Sequence, residues 1–379
     1  MKKFITAIHL CLMACAAATA NDGIYYTAGN QLIPIEETDI TIRKEVLTIS
    51  LGDDGFAHVD VQYELYNPGM TEKRVLMGFE ADPSYNDDYK LYPDGKHPHI
   101  HDFTVEMNGQ PLTYQNAVCQ HDLPEGVKPI DMSKYELSEM ATTVHPKDND
   151  TLYVPFSYVY YFDASFQPGL NRIHHTYRYK QSLSVGIAFE VTYKLSPALR
   201  WANRQIDDFT LVIRADGTAK HFVIDEKNFA AAPWMLTEGM GKQRLTSHYD
   251  TVLREFTLRN GAYVWHALDF RPTEELNITS ADRLYTFNPE AAFGSFYDRT
   301  SSFSLMYSQK DDGTYMNDPQ DAALRARIAH NLPYAHRGHV FDDPVLYTYF
   351  DKLWWYMPDA HYVDSQSDFT ACDRQYLEY

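Results

Sequence analysis

The sequence predicts a mainly β protein, built of one or two antiparallel β-sandwiches and followed by a small α-helical domain at the C-terminus. Two observations indicate this fold class. Between residues 38 and 280, apolar and polar residues alternate with a period of two, and turn-forming dipeptides separate many of the alternating runs. After residue 320 the apolar spacing changes to that of an amphipathic helix. Short strands joined by tight turns are typical of antiparallel sandwiches rather than of parallel sheets.

The first 20 residues have the features of a secretory signal peptide. Two lysines precede an apolar segment over 4–12, and Ala18-Thr-Ala20 forms an A-x-A cleavage pattern. Cleavage there makes Asn21 the mature N-terminus. The apolar segment is shorter than the roughly 20 residues that a membrane span requires. The sequence therefore predicts an extracytoplasmic protein, periplasmic, outer-membrane-associated or secreted, with no transmembrane span in the mature chain.

Lipidation at Cys15 is an alternative to cleavage after residue 20. The sequence Leu12-Met-Ala-Cys15 approaches the pattern at which bacterial lipoproteins are modified. Cleavage after residue 20 instead removes Cys11 and Cys15, and leaves Cys119 and Cys372 as the only cysteines of the mature chain. An oxidising compartment permits a bridge between these two, and two separate cysteines is the alternative.

Charge and length limit the function classes and the number of domains. The chain has 33 basic and 52 acidic residues; without the two lysines of the signal segment the net charge is 31 − 52 = −21. So acidic a protein is a poor partner for nucleic acid. The mature length of 359 residues (379 − 20) exceeds a usual domain of about 100–200 residues. We expect a sandwich over 21–183, a second sandwich or a continuation of the first over 184–298, and a helical domain over 299–379.

Five alternating runs predict strands with one buried and one solvent-facing side. Their apolar positions are Val59 to Leu65, Phe103 to Met107, Ile173 to Tyr179, Ile187 to Tyr193, and Phe209 to Ile213. Asn108-Gly109, Asp216-Gly217 and Asn260-Gly261 lie between such runs. These dipeptides favour two-residue hairpin turns with positive φ, so the sequence predicts a hairpin at each.

The C-terminal part predicts two short helices. Over 321–331 the residues Leu324, Ile328 and Leu332 recur at helical spacing, and Pro333 is expected to end the helix. A second helix is expected over 344–353. Gly338, between them, supplies the backbone freedom that a reversal of the chain needs.

This C-terminal stretch resembles a known module. A helix runs into Asn331-x-x-Tyr334-Ala-x-x-Gly338-x-x-Phe341, and Tyr349-Phe350 and Trp355-Tyr356 follow before Pro358. The spacing is similar to that of the YARHG domain of bacterial extracytoplasmic proteins. In this sequence His and Arg are exchanged, giving Tyr-Ala-His-Arg-Gly. The mature N-terminal part starts with Asn21-Asp-Gly-Ile-Tyr-Tyr26 and contains Arg200-Trp-Ala-Asn-Arg-Gln-Ile-Asp-Asp208. It is similar to the uncharacterised β-rich region that often precedes this domain. The resemblance implies an extracytoplasmic protein and no established activity.

Six C-terminal residues are candidates for ligand binding. Three adjacent aromatic residues cannot all face one core, so at least one ring is expected to be exposed. An exposed ring either stacks on a sugar or a peptide side chain or packs against the β-region. For His336 and Arg337, which follow a helix end, the alternative to ligand binding is a capping role, because positive charge is favourable at the C-terminus of a helix. The candidates are Tyr334, His336, Arg337, Trp354, Trp355 and Tyr356.

A histidine cluster is the one candidate metal site. His97, His99 and His101 alternate, so in an extended chain they share a face, and imidazoles so placed are suited to Zn²⁺. The same alternation continues into Phe103, which makes a simple extension of the strand the alternative. The sequence contains no His-Glu-x-x-His, Gly-x-Ser-x-Gly or complete phosphate-binding loop.

Taken together, these patterns predict a non-catalytic envelope protein that binds a cell-envelope polymer or an envelope protein through its aromatic C-terminal module. The alternative is a metal-dependent hydrolase that uses the histidine cluster. We expect no cofactor, and the sequence leaves the oligomeric state open.

Overall fold

The structure is a computed structural model. It describes residues 20–28, 31–35, 37, 39–83, 92, 94–120, 142–144, 151–153, 156–184, 187–217, 219–248, 251–280, 310–312, 314, 316, 319–367 and 369–378. The predicted signal segment up to residue 19, with Cys15, lies outside these ranges, as does the side chain of Cys372. The signal peptide, the lipid anchor and the bridge between the two cysteines therefore stay predictions.

Within the described ranges, nineteen strands form the β-region. They are β1 Ala20–Ala28, β2 Gln31–Ile35, β3 Thr41–Leu51, β4 Phe56–Asn67, β5 Lys73–Ala81, β6 Ile100–Met107, β7 Gln110–Pro111, β8 Gln115–Gln120, β9 Thr142–Val144, β10 Thr151–Tyr153, β11 Phe156–Phe166, β12 Gly169–Lys180, β13 Ser182–Ser184, β14 Ile187–Tyr193, β15 Ile206–Ala215, β16 Lys220–Asp225, β17 Met235–His248, β18 Thr251–Phe270 and β19 Leu276–Ser280. All five predicted strands are present. The prediction of a mainly β protein is confirmed.

The strands form two large sheets and a small one. A five-stranded sheet has the order β2-β1-β5-β11-β8, and β9 pairs with β10. A twelve-stranded sheet has the order β13-β14-β19-β16-β18-β15-β3-β4-β12-β6-β7, with β17 on the outer side of β18. The neighbours are antiparallel except for β3 and β15, which run parallel.

The five-stranded sheet packs on one half of the larger sheet. Phe79 of β5 and Phe162 of β11 belong to the same buried cluster as Val61 of β4 and Val105 of β6. Strands such as β4 and β12 alternate buried and solvent-facing residues along their whole length. Their outward-facing side chains therefore form a polar surface on the side opposite the core.

The larger sheet crosses the expected division of the β-region near residue 184. The pairing of β3 with β15 brings residues 42–51 beside residues 206–215. Both halves contribute to one buried cluster, in which Ile49 and Ile213 lie together with Trp265. A shared sheet and a shared core are what the alternative of one continuous sandwich predicts, in which residues 184–298 extend the fold of residues 21–183.

The three expected hairpin turns have different outcomes. At Asp216-Gly217 the hairpin prediction is wrong, because β15 and β16 on either side both pair with β18 rather than with each other. Asn108 and Gly109 have φ of 52° and 77° and connect β6 to β7 as a two-residue turn. At Asn260-Gly261 the hairpin prediction is wrong, because β18 runs on through these residues. The register against β17 shifts between Glu238 and Met240, so the positive φ of Asn260 (46°) marks a bulge within a ladder.

The described C-terminal residues form three helices: α1 Ala322–His336, α2 Pro344–Phe350 and α3 Ala371–Glu378. The predicted end of α1 at Pro333 is wrong, since the helix continues for one more turn. Pro333 is buried there, and its carbonyl accepts a hydrogen bond from the Arg337 guanidinium at 2.9 Å, which stabilises the added turn. Helix α2 ends at Phe350 rather than at 353, and α3 was not expected from the sequence.

A second buried cluster joins these helices. It contains Ile328 and Leu332 of α1, Phe350 of α2 and Tyr376 of α3, together with Trp355. We call residues 310–378 the C-terminal module, and its core is separate from that of the β-region.

Candidate functional site

The residues of the C-terminal motif hold the module together. Arg337 donates to the Asp373 carboxylate at 2.8 Å and lies over the Phe369 ring, 4.3 Å from its centroid. Thr370 and Asp373 exchange hydrogen bonds at the start of α3, in the manner of a capping box. Tyr334 accepts a hydrogen bond from Gln366 at 2.9 Å. The motif therefore fastens the end of α1 to α3 and to the segment that precedes it.

Gly338 is required by a contact with the β-region. Its φ is +86°, and a Cβ atom added to it would lie 2.2 Å from Nη1 of Arg259. The guanidinium of Arg259, on β18, donates to the carbonyl of Met357 at 2.8 Å and lies 3.8 Å from the Asp359 carboxylate. Its side chain is only 7% exposed. Because residue 338 has no side chain, the Arg259 guanidinium of β18 can pack against the backbone of the module as a buried charge.

The three adjacent aromatic residues are all buried. Trp354, Trp355 and Tyr356 are 4%, 3% and 1% exposed, so the expectation that one ring faces solvent is wrong. Trp355 and Tyr356 enter the core of the module. Trp354 instead faces the sheet, where the Arg244 guanidinium of β17 lies 4.1 Å from the centre of its ring. Two different packing surfaces therefore accommodate three consecutive rings.

The cation on Trp354 is fixed by both the sheet and the C-terminal module. Arg244 donates to the Glu255 carboxylate at 2.7 Å and to the carbonyl of Lys310 at 3.0 Å. Its side chain is 15% exposed and that of Glu255 is 7% exposed. The module thus covers the outer face of β17 and β18, and packing on the β-region, the alternative considered above, describes Trp354.

His336 lies on the same covered face. Its ring is 4.5 Å from that of Trp355, and burial lowers its pKa to about 4. His221 of β16, opposite Thr257 in the sheet, is 3% exposed, and burial, with a smaller contribution from the nearby His336 imidazole, lowers its pKa to about 3. Both imidazoles are therefore neutral near pH 7. Ligand binding at the six C-terminal candidates stays a prediction: Trp354, Trp355 and Tyr356 are buried, whereas Tyr334, His336 and Arg337 keep part of their surface exposed.

The histidine cluster is not arranged as a metal site. His97 is 2% exposed, its Nε2 donates to the carbonyl of Asp82 and its Nδ1 accepts from the amide of His99. Both ring nitrogens are thus engaged, and burial lowers the pKa of His97 to about 3. His101 packs on the ring of Phe56 at 5.4 Å. Within the described ranges, no group of three or more His, Cys, Asp and Glu side chains is placed to hold a metal ion.

The alternation expected from His99 into Phe103 is also interrupted. Thr104 lies opposite Thr176, but His101 lies opposite Arg178, so two residues of β6 face one residue of β12. Asp102, in this bulge, has a φ of 53°. The bulge changes which face the preceding residues occupy, and the spacing in the sequence gave no indication of it.

A cleft of about 320 Å³ lies on the opposite, solvent-facing side of the first half of the sheet. It crosses four adjacent strands, β3, β4, β12 and β6. Its lining residues are Lys44, Val46, Gln62, Tyr63, Glu64, Glu106, Gly109, Arg172, Ile173 and His174. The sequence identifies several of these positions only as the solvent-facing side of strands. Which of them become neighbours depends on pairing between residues that are distant in the sequence.

The register arranges the polar lining of the cleft in two rows. In one row Lys44 lies opposite Glu64, and Glu64 lies opposite Arg172. The charges along this row alternate in sign. The Arg172 Nε donates to the Glu64 carboxylate at 3.1 Å, and Lys44 pairs at 3.3 Å with Asp208 of β15.

The second row is less charged. Val46 lies opposite Gln62, Gln62 opposite His174, and His174 opposite Glu106. His174 pairs through Nε2 with Asp60 at 2.8 Å. The floor of the cleft therefore presents an apolar end, amide and imidazole groups, and carboxylates on a platform of hydrogen-bonded strands.

Comparison with known families confirms both resemblances. Residues 306–379 match the YARHG domain, and residues 20–123 match a domain of unknown function, DUF4424. No curated protein matches the chain. Among the described residues, no helix combines the length and the apolar character that crossing a membrane requires.

Solved structures with a similar fold include that of a candidate nutrient-binding protein from Legionella pneumophila. It is 17% identical, with a TM-score of 0.50 over 96% of this chain and 98% of the other, and this likeness shows the fold. An M1 zinc metallopeptidase from Deinococcus radiodurans matches over 65% of this chain and 43% of its own, with 11% identity and a TM-score of 0.24. A candidate protease from Parabacteroides distasonis is 10% identical, with a TM-score of 0.23 over 82% of this chain and 53% of its own.

Proposed function

We propose that this protein is an extracytoplasmic, non-catalytic binding protein whose site is the cleft across β3, β4, β12 and β6, and that it takes a small polar ligand. The observation that carries the proposal is the cleft itself. Its volume of about 320 Å³ lies at the lower end of the roughly 300–1,000 Å³ usual for small-molecule sites. Charged and amide groups on adjacent strands converge in it, and strands hold such groups more rigidly than loops do.

Two further observations support a binding role. The YARHG match, typical of extracytoplasmic proteins, and the nutrient-binding description of the Legionella neighbour are both compatible with ligand capture outside the cytoplasm. In the described part of the chain the histidines suggested for a hydrolase are engaged in packing and hydrogen bonds. The C-terminal module, docked on the second half of the sheet through Arg244 and Arg259, stabilises the protein in this proposal and leaves the cleft open.

A cleft-filling variant tests the site. Gln62 is exposed in the middle of the cleft, so Gln62→Trp should fill the cleft at little cost in stability, since aromatic residues suit strands. Ser50→Trp, on the same face of β3 but outside the lining, is the matched control. Equilibrium dialysis would use a mixed pool of amino acids, monosaccharides, nucleosides and dicarboxylates, with mass spectrometry of what is retained.

The expected result is that wild type and Ser50→Trp retain the same compounds and Gln62→Trp retains none of them. Retention that is equal in all three proteins would place binding elsewhere and overturn the cleft assignment. For the proposed location, N-terminal sequencing of the exported protein should give residue 21 first, whereas a diacylglycerol-modified Cys15 would indicate a lipoprotein.

A further inference from the structure

Two opposite charges in the cleft lack a full set of partners. Arg172 uses its Nε for Glu64, and its two terminal guanidinium nitrogens have no hydrogen bond to any described residue, while its side chain is 71% exposed. The carboxylate of Glu106, half-buried on β6, has no ion-pair partner among the described residues. The other charged groups of the lining are already paired.

These two groups are diagonal neighbours on the same face. Glu106 lies opposite His174, and Arg172 is two residues before His174 on β12. Diagonal neighbours of this kind are separated by about 7–8 Å. Side chains as long as those of arginine and glutamate can reach each other at this separation, yet no ion pair joins these two in the structure. One small molecule placed between them can therefore contact both.

We infer that the cleft takes a zwitterion of the α-amino acid or short-peptide class, with its carboxylate on Arg172 and its ammonium group on Glu106; the inference rests on the proposed function of the cleft. A guanidinium with two free nitrogens binds a carboxylate in a bidentate fashion. The amino nitrogen and the carboxyl carbon of an amino acid are about 2.5 Å apart, and hydrogen bonds of about 2.8 Å at each end span the remaining gap.

The neighbouring residues fit the same ligand. Glu64 holds the Arg172 guanidinium by its Nε edge and so leaves the opposite edge directed away from that carboxylate. Val46, at the far end of the second row, offers an apolar surface to a side chain. A ligand with two positive ends would place one of them against the like charge of Arg172, and a ligand with two negative ends would place one against the like charge of Glu106.

Capped derivatives separate the two ends of the ligand. Wild type would be dialysed against a pool of the common amino acids, a pool of their N-acetyl derivatives, which lack the ammonium charge, and a pool of amino-acid amides, which lack the carboxylate. Retained compounds should come from the first pool, and capping either end should weaken their binding by about tenfold or more, as expected for the loss of a charged hydrogen bond. Glu106→Gln and Arg172→Gln should weaken the uncapped compounds similarly, while Thr104→Ser, on the next row of β6 and outside the lining, should bind them as wild type does.

Each other outcome counts against the inference in a recognisable way. Equal retention of capped and uncapped compounds would show that the charges do not select the ligand. Retention only of sugars or nucleosides, blocked by Gln62→Trp, would keep the cleft as the site and overturn the zwitterion. No retention from any pool would overturn both proposals.

Discussion

Replacement of Gly338 by alanine tests how the sheet and the module are joined. An alanine at φ +86° costs about 1–2 kcal/mol of backbone strain. Its Cβ would also lie 2.2 Å from Nη1 of Arg259, so the guanidinium has to move away from the Met357 carbonyl. Loss of a buried hydrogen bond from a charged group costs about a further 1.5–3 kcal/mol. We therefore expect Gly338→Ala to lower the free energy of unfolding by about 2.5–5 kcal/mol.

Gly169 provides the matched control, because its φ is +88° and nothing lies within 4 Å of an added Cβ. Gly169→Ala should cost only the backbone strain of about 1–2 kcal/mol. Urea unfolding followed by tryptophan fluorescence would measure both variants. In an Arg259→Ala background the cost of Gly338→Ala should fall to that of the control, since the two residues would then no longer interact. Equal losses for Gly338→Ala and Gly169→Ala in the native background would refute the proposed contact.

Two more predictions concern the same interface. Arg244→Ala should lower the free energy of unfolding by about 3 kcal/mol, because it leaves the buried Glu255 carboxylate unpaired. Lys242→Ala is the control: its partner Asp311 is 57% exposed, so this variant should cost under about 1 kcal/mol in the same urea titration. Similar losses for the two variants would contradict this account. Since the folded pKa of His336, about 4, lies below its ordinary 6.5, the unfolded chain binds the proton more readily and stability should fall as pH decreases from about 6.5 to about 4. In thermal melts at a series of pH values, His336→Phe should reduce this loss of stability at low pH. His361→Asn, which replaces a 98% exposed side chain, should not. An unchanged dependence of stability on pH in His336→Phe would count against the burial of this imidazole.

The features that the sequence predicted correctly depend on local chemistry. The strand over Ile173 to Tyr179 follows from alternation alone, and Asn108-Gly109 forms its turn because the residues on both sides pair with each other. The same dipeptide at 260–261 is placed in a bulge by its neighbours on β17. Both positions are Asn-Gly dipeptides between alternating runs, and only the strand that pairs with them distinguishes a turn from a bulge.

The candidate site was harder to predict because it depends on residues distant in the sequence. The burial of Trp354 depends on Arg244, and no pattern within the aromatic run indicates that a sheet covers it. The cleft requires β3, β4, β12 and β6 to lie side by side in one register. Arg172 and Glu64, which form an ion pair in it, are 108 positions apart in the chain. What the sequence did identify, the YARHG motif, is explained by residues that organise the end of α1.

The parallel pairing of β3 with β15 has a consequence for the order in which the protein can fold. Arg43 and Asp207, an ion pair across this join, are separated by 164 positions, so β3 leaves the ribosome long before its parallel neighbour exists. Until then one edge of β3 exposes unpaired amide and carbonyl groups, which invite aggregation. Contacts so distant along the chain also form slowly, because a long loop has to close first. A fragment that ends near residue 183 would keep this open edge permanently, and the full chain has to remain in an unaggregated, incomplete state until β15 has been synthesised.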